Sequence, residues 1–164
     1  MRYFITFACY GAHLHGDGSG SVDWRHNLPG SRVLEPDIER ATADKERMNQ
    51  TSYLLDAARR TVVLESVKEH CVYQSWNLLA AHVRTNHVHV VVEAEVPPER
   101  IMNAFKSYAS RALNRLDIDE RGCKRWARHG STRWLWTDQN VAEAIRYVVD
   151  EQGEPMAVFV SDIG

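Results

Sequence analysis

Residues 84–94 read RTNHVHVVVEA, with two histidines one residue apart leading into a run of valines. A β-strand sends alternate side chains to opposite faces. His87, His89, Val91 and Glu93 therefore share one side, and Val88, Val90 and Val92 the other. The all-valine side has the character of a core face. The opposite side carries two imidazoles whose Cα atoms lie roughly 7 Å apart, within chelating reach of one ion. The competing reading is a partly exposed strand on which the histidines have no special task, and the rest of the chain has to discriminate between the two.

Immediately upstream, WNLLAAHV supplies a second apolar strand. Arg84, Thr85 and Asn86 form the polar turn between them, so residues 76–95 predict a hairpin with the histidines at the start of its second strand. Further upstream, RYFITFACYGAHL reads as a strand apolar on both faces, suited to a central position. HGDGSGSVDWRHNLPGS follows as a loop rich in glycine, serine and proline. Residues 35–50 fit a loop or a short helix. From Ser52 to Tyr73 the spacing of Leu54, Leu55, Ala58, Val62, Val63, Val67 and Cys71 predicts a helix. Downstream, Pro97 and Pro98 open a helix whose apolar stripe is Ile101, Phe105, Tyr108, Ala112 and Leu116. DIDERGCKRWARHGS reads as a charged loop, TRWLW as a short strand, and PMAVFV as a closing strand. Between the last two, Thr137 or Asp138 caps a helix that Gly153 ends. The expected architecture is α+β: one domain over residues 1–164, with a central antiparallel sheet and helices packed on one face.

The totals narrow the function classes. At 164 residues the chain is long enough to bury a core unaided, and 44% apolar with 26% charged residues is ordinary globular composition. Cys9, Cys71 and Cys123 are far apart in sequence, which suggests neither a disulfide framework nor a cysteine metal site. No apolar run approaches the roughly 18 residues of a membrane span, and the first twenty residues are too polar for a signal peptide. The expectation is a cytoplasmic protein without membrane contact. A net charge of −2 does not favour nucleic acid. From Arg100 to Arg133, however, nine Lys/Arg stand against three acids, interleaved with Trp126 and Trp134, and Trp136 follows just beyond. Such a stretch suits phosphates and stacked bases, and equally a solvated face.

Four chemistries use closely spaced histidines of this kind. A histidine-triad hydrolase places a third histidine where Val91 stands. A two-histidine phosphoesterase needs a pair of His-x-Thr/Ser motifs, and His87-Val88-His89 is not one of them. A cupin-like metalloenzyme would use His87, His89 and Glu93, but Ala81 and Arg100 stand where glycines belong, and three helical patterns fit a jelly roll badly. An HUH nuclease pairs His-hydrophobe-His with a nucleophilic tyrosine on a downstream helix. AIRYVVDEQGEP provides Tyr147 on the 138–152 helix, with Glu151 one turn later on the same face. Gln152, five residues past Tyr147, would point about 140° away on an ideal helix.

The ordered set TNHVHVVVEA, FKSYASRALNR, RHGSTRWLW and AIRYVVDEQGEPMAV, together with the opening FITFACYGAHLHGDGSGSV, resembles the single-tyrosine HUH transposases. The likeness is strongest to the REP-associated tyrosine transposases and their insertion-sequence relatives. The resemblance implies a ferredoxin- or RRM-like HUH endonuclease topology, Tyr147 as nucleophile, and His87 and His89 as ligands of Mg²⁺ or Mn²⁺. A glutamine four residues past the tyrosine often completes the metal site in that family. Here Glu151 holds that place and Gln152 follows, so both are candidates. The resemblance also implies single-stranded or hairpin DNA as substrate, cleaved through a 5′-phosphotyrosine link, and a homodimer. A catalytically inactive, domesticated relative that only binds hairpin DNA is the alternative within the same family.

Lys106, Arg111, Arg128, His129 and Arg133 are the candidate DNA contacts, and Arg115 and Arg146 are further basic positions that solvated charge explains equally well. His13 and His15, with Asp17 close by, are candidates for a supporting role beside the metal. His82 fits a satisfied core histidine better than a ligand. Tyr108, on the helix that follows the histidines, fits packing better than attack on DNA.

Overall fold

The computed structural model describes residues 1–12 and 50–162. Elements follow in the expected order: β1 (Arg2–Cys9), α1 (Ala57–Gln74), β2 (Asn77–Val83), β3 (His87–Glu93), α2 (Pro98–Asn114), β4 (Trp126–Trp134), α3 (Asp138–Asp150) and β5 (Ala157–Val160). The strands form one five-stranded sheet in the order β4-β1-β3-β2-β5, with every neighbouring pair antiparallel. The α+β fold read from the sequence is the one observed. His13, His15 and Asp17 lie outside the described residues.

β1 and β3 occupy the middle of the sheet because both of their faces are apolar. Tyr3, Ile5 and Phe7 of β1 and Val88, Val90 and Val92 of β3 pack under α1 and α2, against Val63, Val67, Ile101, Phe105 and Leu113. Phe4 and Val91 face the other way, into a second, smaller core with Leu79, Ala80, Val141, Ala144 and Val148. The spacing of Val141, Ala144 and Val148 makes α3 amphipathic, and this stripe seats it over β2 and β3. The third helix thus covers the opposite face of the sheet from the first two, where the sequence reading put all helices on one face. Apolar spacing shows that a helix is amphipathic but not which side of a two-faced sheet it covers.

Local chemistry sets the ends. Asp56 caps α1, its carboxylate accepting the Arg59 amide at 2.9 Å, so the helix starts at Ala57 rather than Ser52. The Thr137 hydroxyl accepts the Asn140 amide at 3.0 Å and starts α3. β4 begins at Trp126, inside the stretch read as a charged loop. It is an edge strand, and its exposed Arg128 and His129 hide the alternation that marks a strand. At Gly130 a Cβ would lie 2.6 Å from the Thr6 carbonyl oxygen and would run into Met102, so β4 approaches β1 and α2 only without a side chain there. Glu93 is exposed at the far end of β3, opposite Arg2 and Asn77. Four strand residues separate it from His89, roughly 13 Å. With the mixed fold, this placement excludes a cupin-like site built on His87, His89 and Glu93.

The 115–125 connection is anchored by Asp119. Its carboxylate accepts from Tyr53 at 2.6 Å, from Arg59 at 2.6 Å and from Arg125 at 3.2 Å. Burial alone would raise the carboxyl pKa, but these three donors together hold it below its ordinary value of 3.8. Asp119→Ala would remove the carboxylate shared by two guanidinium groups and leave Arg125 without a counter-charge. The expected loss is about 3 kcal/mol of stability, read as a lower urea midpoint with an unchanged slope.

Candidate active site

His89 is 4% exposed and sits on the α3 side of the sheet. Its ring stacks on Phe4, with centroids 5.6 Å apart and planes 17° apart, and meets Tyr147 edge-on at 5.7 Å. Phe4 also meets Tyr147 edge-on, at 5.9 Å. The two histidine rings are 4.7 Å apart. One turn of strand pleat and one amphipathic helix therefore bring His87, His89 and Tyr147 to the same place. Tyr147 itself is half-buried on the α3 stripe that flanks the smaller core.

The end of α3 decides which of the two residues after Asp150 joins them. Glu151 leaves helical geometry at φ −111°, ψ 19°, and its side chain is exposed. Gly153 follows at φ +80°, a conformation that glycine adopts without strain. Across this bend Gln152 turns back: its Nε2 donates to the Tyr147 carbonyl at 3.1 Å, and its Oε1 lies 3.2 Å from His89 Nε2. The ideal-helix argument that favoured Glu151 fails because the helix stops one residue too early for it to apply.

His82 lies beside His89 in the sheet register and is fully buried. Its Nδ1–H donates to the Val148 carbonyl at 2.8 Å, and its Nε2 accepts the Met156 amide at 3.0 Å. Arg84 donates to the Glu154 carbonyl. These bonds tie the end of the tyrosine helix and the turn carrying Gln152 to the β2–β3 hairpin. His82 is thus a satisfied core histidine, as expected, and it tethers the site.

The donor set suits a divalent cation. Asn86 Oδ1 lies 2.7 Å from His87 Nδ1, an arrangement that places the proton on Nδ1 and leaves Nε2 to coordinate. Thr6 Oγ1 lies 2.7 Å from His89 Nδ1. The 3.2 Å between His89 Nε2 and Gln152 Oε1 is close to the separation, about 3 Å, of neighbouring ligands in an octahedral shell with bonds of 2.0–2.1 Å. Beside the two imidazoles, the Gln152 amide oxygen is a described group placed to serve as a third ligand. Two imidazoles and one carbonyl oxygen favour Mn²⁺ at least as much as the harder Mg²⁺.

A sequence model of the family described as "Transposase IS200 like" matches residues 46–150, nearly two thirds of the chain. The chain belongs to this family. Among curated proteins no relative matches. Among solved structures, that of a REP-associated tyrosine transposase bound to a REP hairpin superposes on this chain with a TM-score of 0.50, at 7% identity. The match covers 92% of this chain and 65% of that one, and at this identity it speaks for the fold alone.

The remaining candidates are dispersed. Arg133 pairs with Phe4 in the register and shares its face, while Arg128 and His129 are exposed on the edge strand. Lys106 donates its ammonium to the carbonyls of Ala127 and His129, and burial lowers its pKa, so it serves as a brace between α2 and β4. Arg111 lies over the exposed side of Tyr108, 5.0 Å from the ring centroid. Tyr108 is on the α1–α2 side, stacked on His70 at 4.0 Å, which puts the whole sheet between it and the histidine pair. Trp126 packs beneath α2, bonded to the Lys106 carbonyl, whereas Trp134 and Trp136 stack on one another in the open at 5.1 Å and 11°. Thr6 escapes notice in the sequence, and His82 reads there only as a core histidine. Their signal, a polar side chain at an inward position of a central strand, becomes visible only once the register is known.

Two predictions follow from this geometry. Gln152→Ala should weaken Mn²⁺ binding at least roughly tenfold, while Glu151→Ala stays within about twofold, as read by titration of the free protein. Burial pushes the His82 imidazole below its ordinary 6.5; the Val148 carbonyl opposes this and the Arg84 charge adds to it. Burial lowers His70 as well. The unfolded chain therefore takes up protons that the folded state refuses. Stability is complete above pH 6.5 and falls as the pH drops below it. In thermal melts His82→Asn should lower the midpoint at pH 7.5 and flatten the acid decline, leaving the His70 share.

Proposed function

We propose that this transposase is a metal-dependent endonuclease and strand transferase for single-stranded, hairpin-forming DNA, with Tyr147 as its nucleophile. The observation that carries the reading is the convergence of Tyr147, His87, His89 and Gln152 on one face of the sheet. A divalent ion held by the two imidazoles and the Gln152 amide oxygen would polarise the scissile phosphate. Tyr147 Oη attacks phosphorus in line with the 3′-oxygen; the O–P bond to tyrosine forms as the P–O3′ bond breaks. The phenol proton is given up and the departing oxygen leaves as a 3′-hydroxyl. The resulting 5′-phosphotyrosine retains the energy of the phosphodiester, so a second 3′-hydroxyl can reverse the step on a new strand without ATP. Phe4, packed against both the His89 and Tyr147 rings, holds the nucleophile and the ligand in fixed relation. The DNA path proposed beyond the site runs along the α3 face toward the β4 edge, past Arg133, with Arg128 and His129 on that edge strand available to phosphates.

Incubation with labelled single-stranded hairpins and Mn²⁺ tests this directly. A covalent protein–DNA band on a denaturing gel is expected in the wild type and should disappear in Tyr147→Phe and with EDTA. Retention of the band in Tyr147→Phe would reject the assigned nucleophile. Hairpin binding without any band would indicate the binding-only relative.

A further inference from the structure

The side chain of Thr6 is the one hydroxyl on a β1 face otherwise made of Arg2, Phe4 and Ala8. It is buried at 3% exposure and paired in register with His89 on one side and Ser131 on the other. A threonine in this position needs a partner, and it has one in His89 Nδ1 at 2.7 Å. The direction of that bond follows from the other end of the ring. Gln152 Nε2 donates to the Tyr147 carbonyl, so the oxygen of the same amide is what faces His89 Nε2. An acceptor there requires Nε2 to carry the proton. Nδ1 is then unprotonated and accepts from the Thr6 hydroxyl.

A histidine that binds a cation through Nε2 needs the opposite arrangement, with the proton on Nδ1. A backbone carbonyl or a carboxylate beside Nδ1 would support only that second state. A threonine hydroxyl both donates and accepts, and needs only to rotate about its C–O bond to serve either.

We infer that Thr6 is a positioning residue that holds the His89 ring in one orientation through both tautomers, so that the imidazole is aligned for a divalent ion before and after the ion binds. This rests on the assignment of His87, His89 and Gln152 as the ion's ligands. It adds a residue outside that set, on a different strand, whose only route to the ion is through His89. On ion binding the proton leaves Nε2 for solvent and another is taken up at Nδ1. The ring remains neutral, and the Thr6 hydroxyl turns from donor to acceptor. Phe4, stacked against the same ring, restrains its tilt but offers no hydrogen bond to compensate for loss of the hydroxyl.

The test uses the full chain without DNA. Mn²⁺ affinity is measured by electron paramagnetic resonance for the wild type, Thr6→Val, Thr6→Ser and a His87→Ala/His89→Ala double variant, with thermal melting as the check on folding. Thr6→Val preserves shape and removes the hydroxyl; it should weaken Mn²⁺ binding about 10- to 100-fold, and Thr6→Ser should restore most of the loss. Nitrogen-15 spectra of the wild-type imidazoles supply a measurement that needs no variant to fold: Mg²⁺ should move the His89 proton from Nε2 to Nδ1. Wild-type affinity in a folded Thr6→Val protein, or a His89 tautomer unchanged by Mg²⁺ while the ion binds at the histidines, would overturn the role of Thr6 alone. Equal Mn²⁺ binding by the wild type and the double histidine variant would overturn the ligand assignment and, with it, this inference.

Discussion

On β3 the pleat divides seven residues between two compartments that differ in purpose. Val88, Val90 and Val92 enter the large core under α1 and α2, while His87, His89 and Val91 face α3. The division is rigid because β3 is paired on both sides, to β1 and to β2. A one-residue slip would place two imidazoles in the larger core and three valines under the tyrosine helix. The valines thus hold the histidines in place, since burying them under the first two helices leaves the imidazoles only the other face.

The second core is small, and this is what allows it to serve chemistry. Phe4, Val91, Ala144 and Val148 seat α3 closely enough for Tyr147 to meet His89, while Tyr147 stays half-buried and His87 only partly covered. The polar groups around the two site histidines are paired. His82 uses both ring nitrogens on the backbone around the tyrosine helix, Asn86 and Thr6 each meet one histidine, and Gln152 spans the Tyr147 carbonyl and His89. Buried polar groups are tolerated where every member has a partner. The network therefore stabilises the arrangement as well as orienting it.

Membership of the IS200-like transposase family and the antiparallel α+β fold were both legible in the chain before any coordinates. They were legible because they rest on periodicity and ordered motifs: alternation around His87 and His89, helical spacing around Tyr147, and turn residues between elements. β4 was less legible, because an edge strand with an exposed face need not alternate, and its first half carries exposed Arg128 and His129. The position of α3 was less legible still, since an amphipathic stripe fits either face of a sheet that is apolar on both.

By itself, then, the sequence determined which residues share a strand face or a helix stripe, because those relations follow from the fixed geometry of 2.0 and 3.6 residues per repeat. It also determined which chemistry such a set could support. Only the tertiary structure decided that Gln152 rather than Glu151 turns to His89, that Tyr108 lies across the sheet from the histidines, and that Thr6 and His82 belong to the site. The physical reason is the same in each case. Where a helix ends, which face it covers and which strand lies beside which are settled by contacts between residues far apart in the chain, and no local repeat records them.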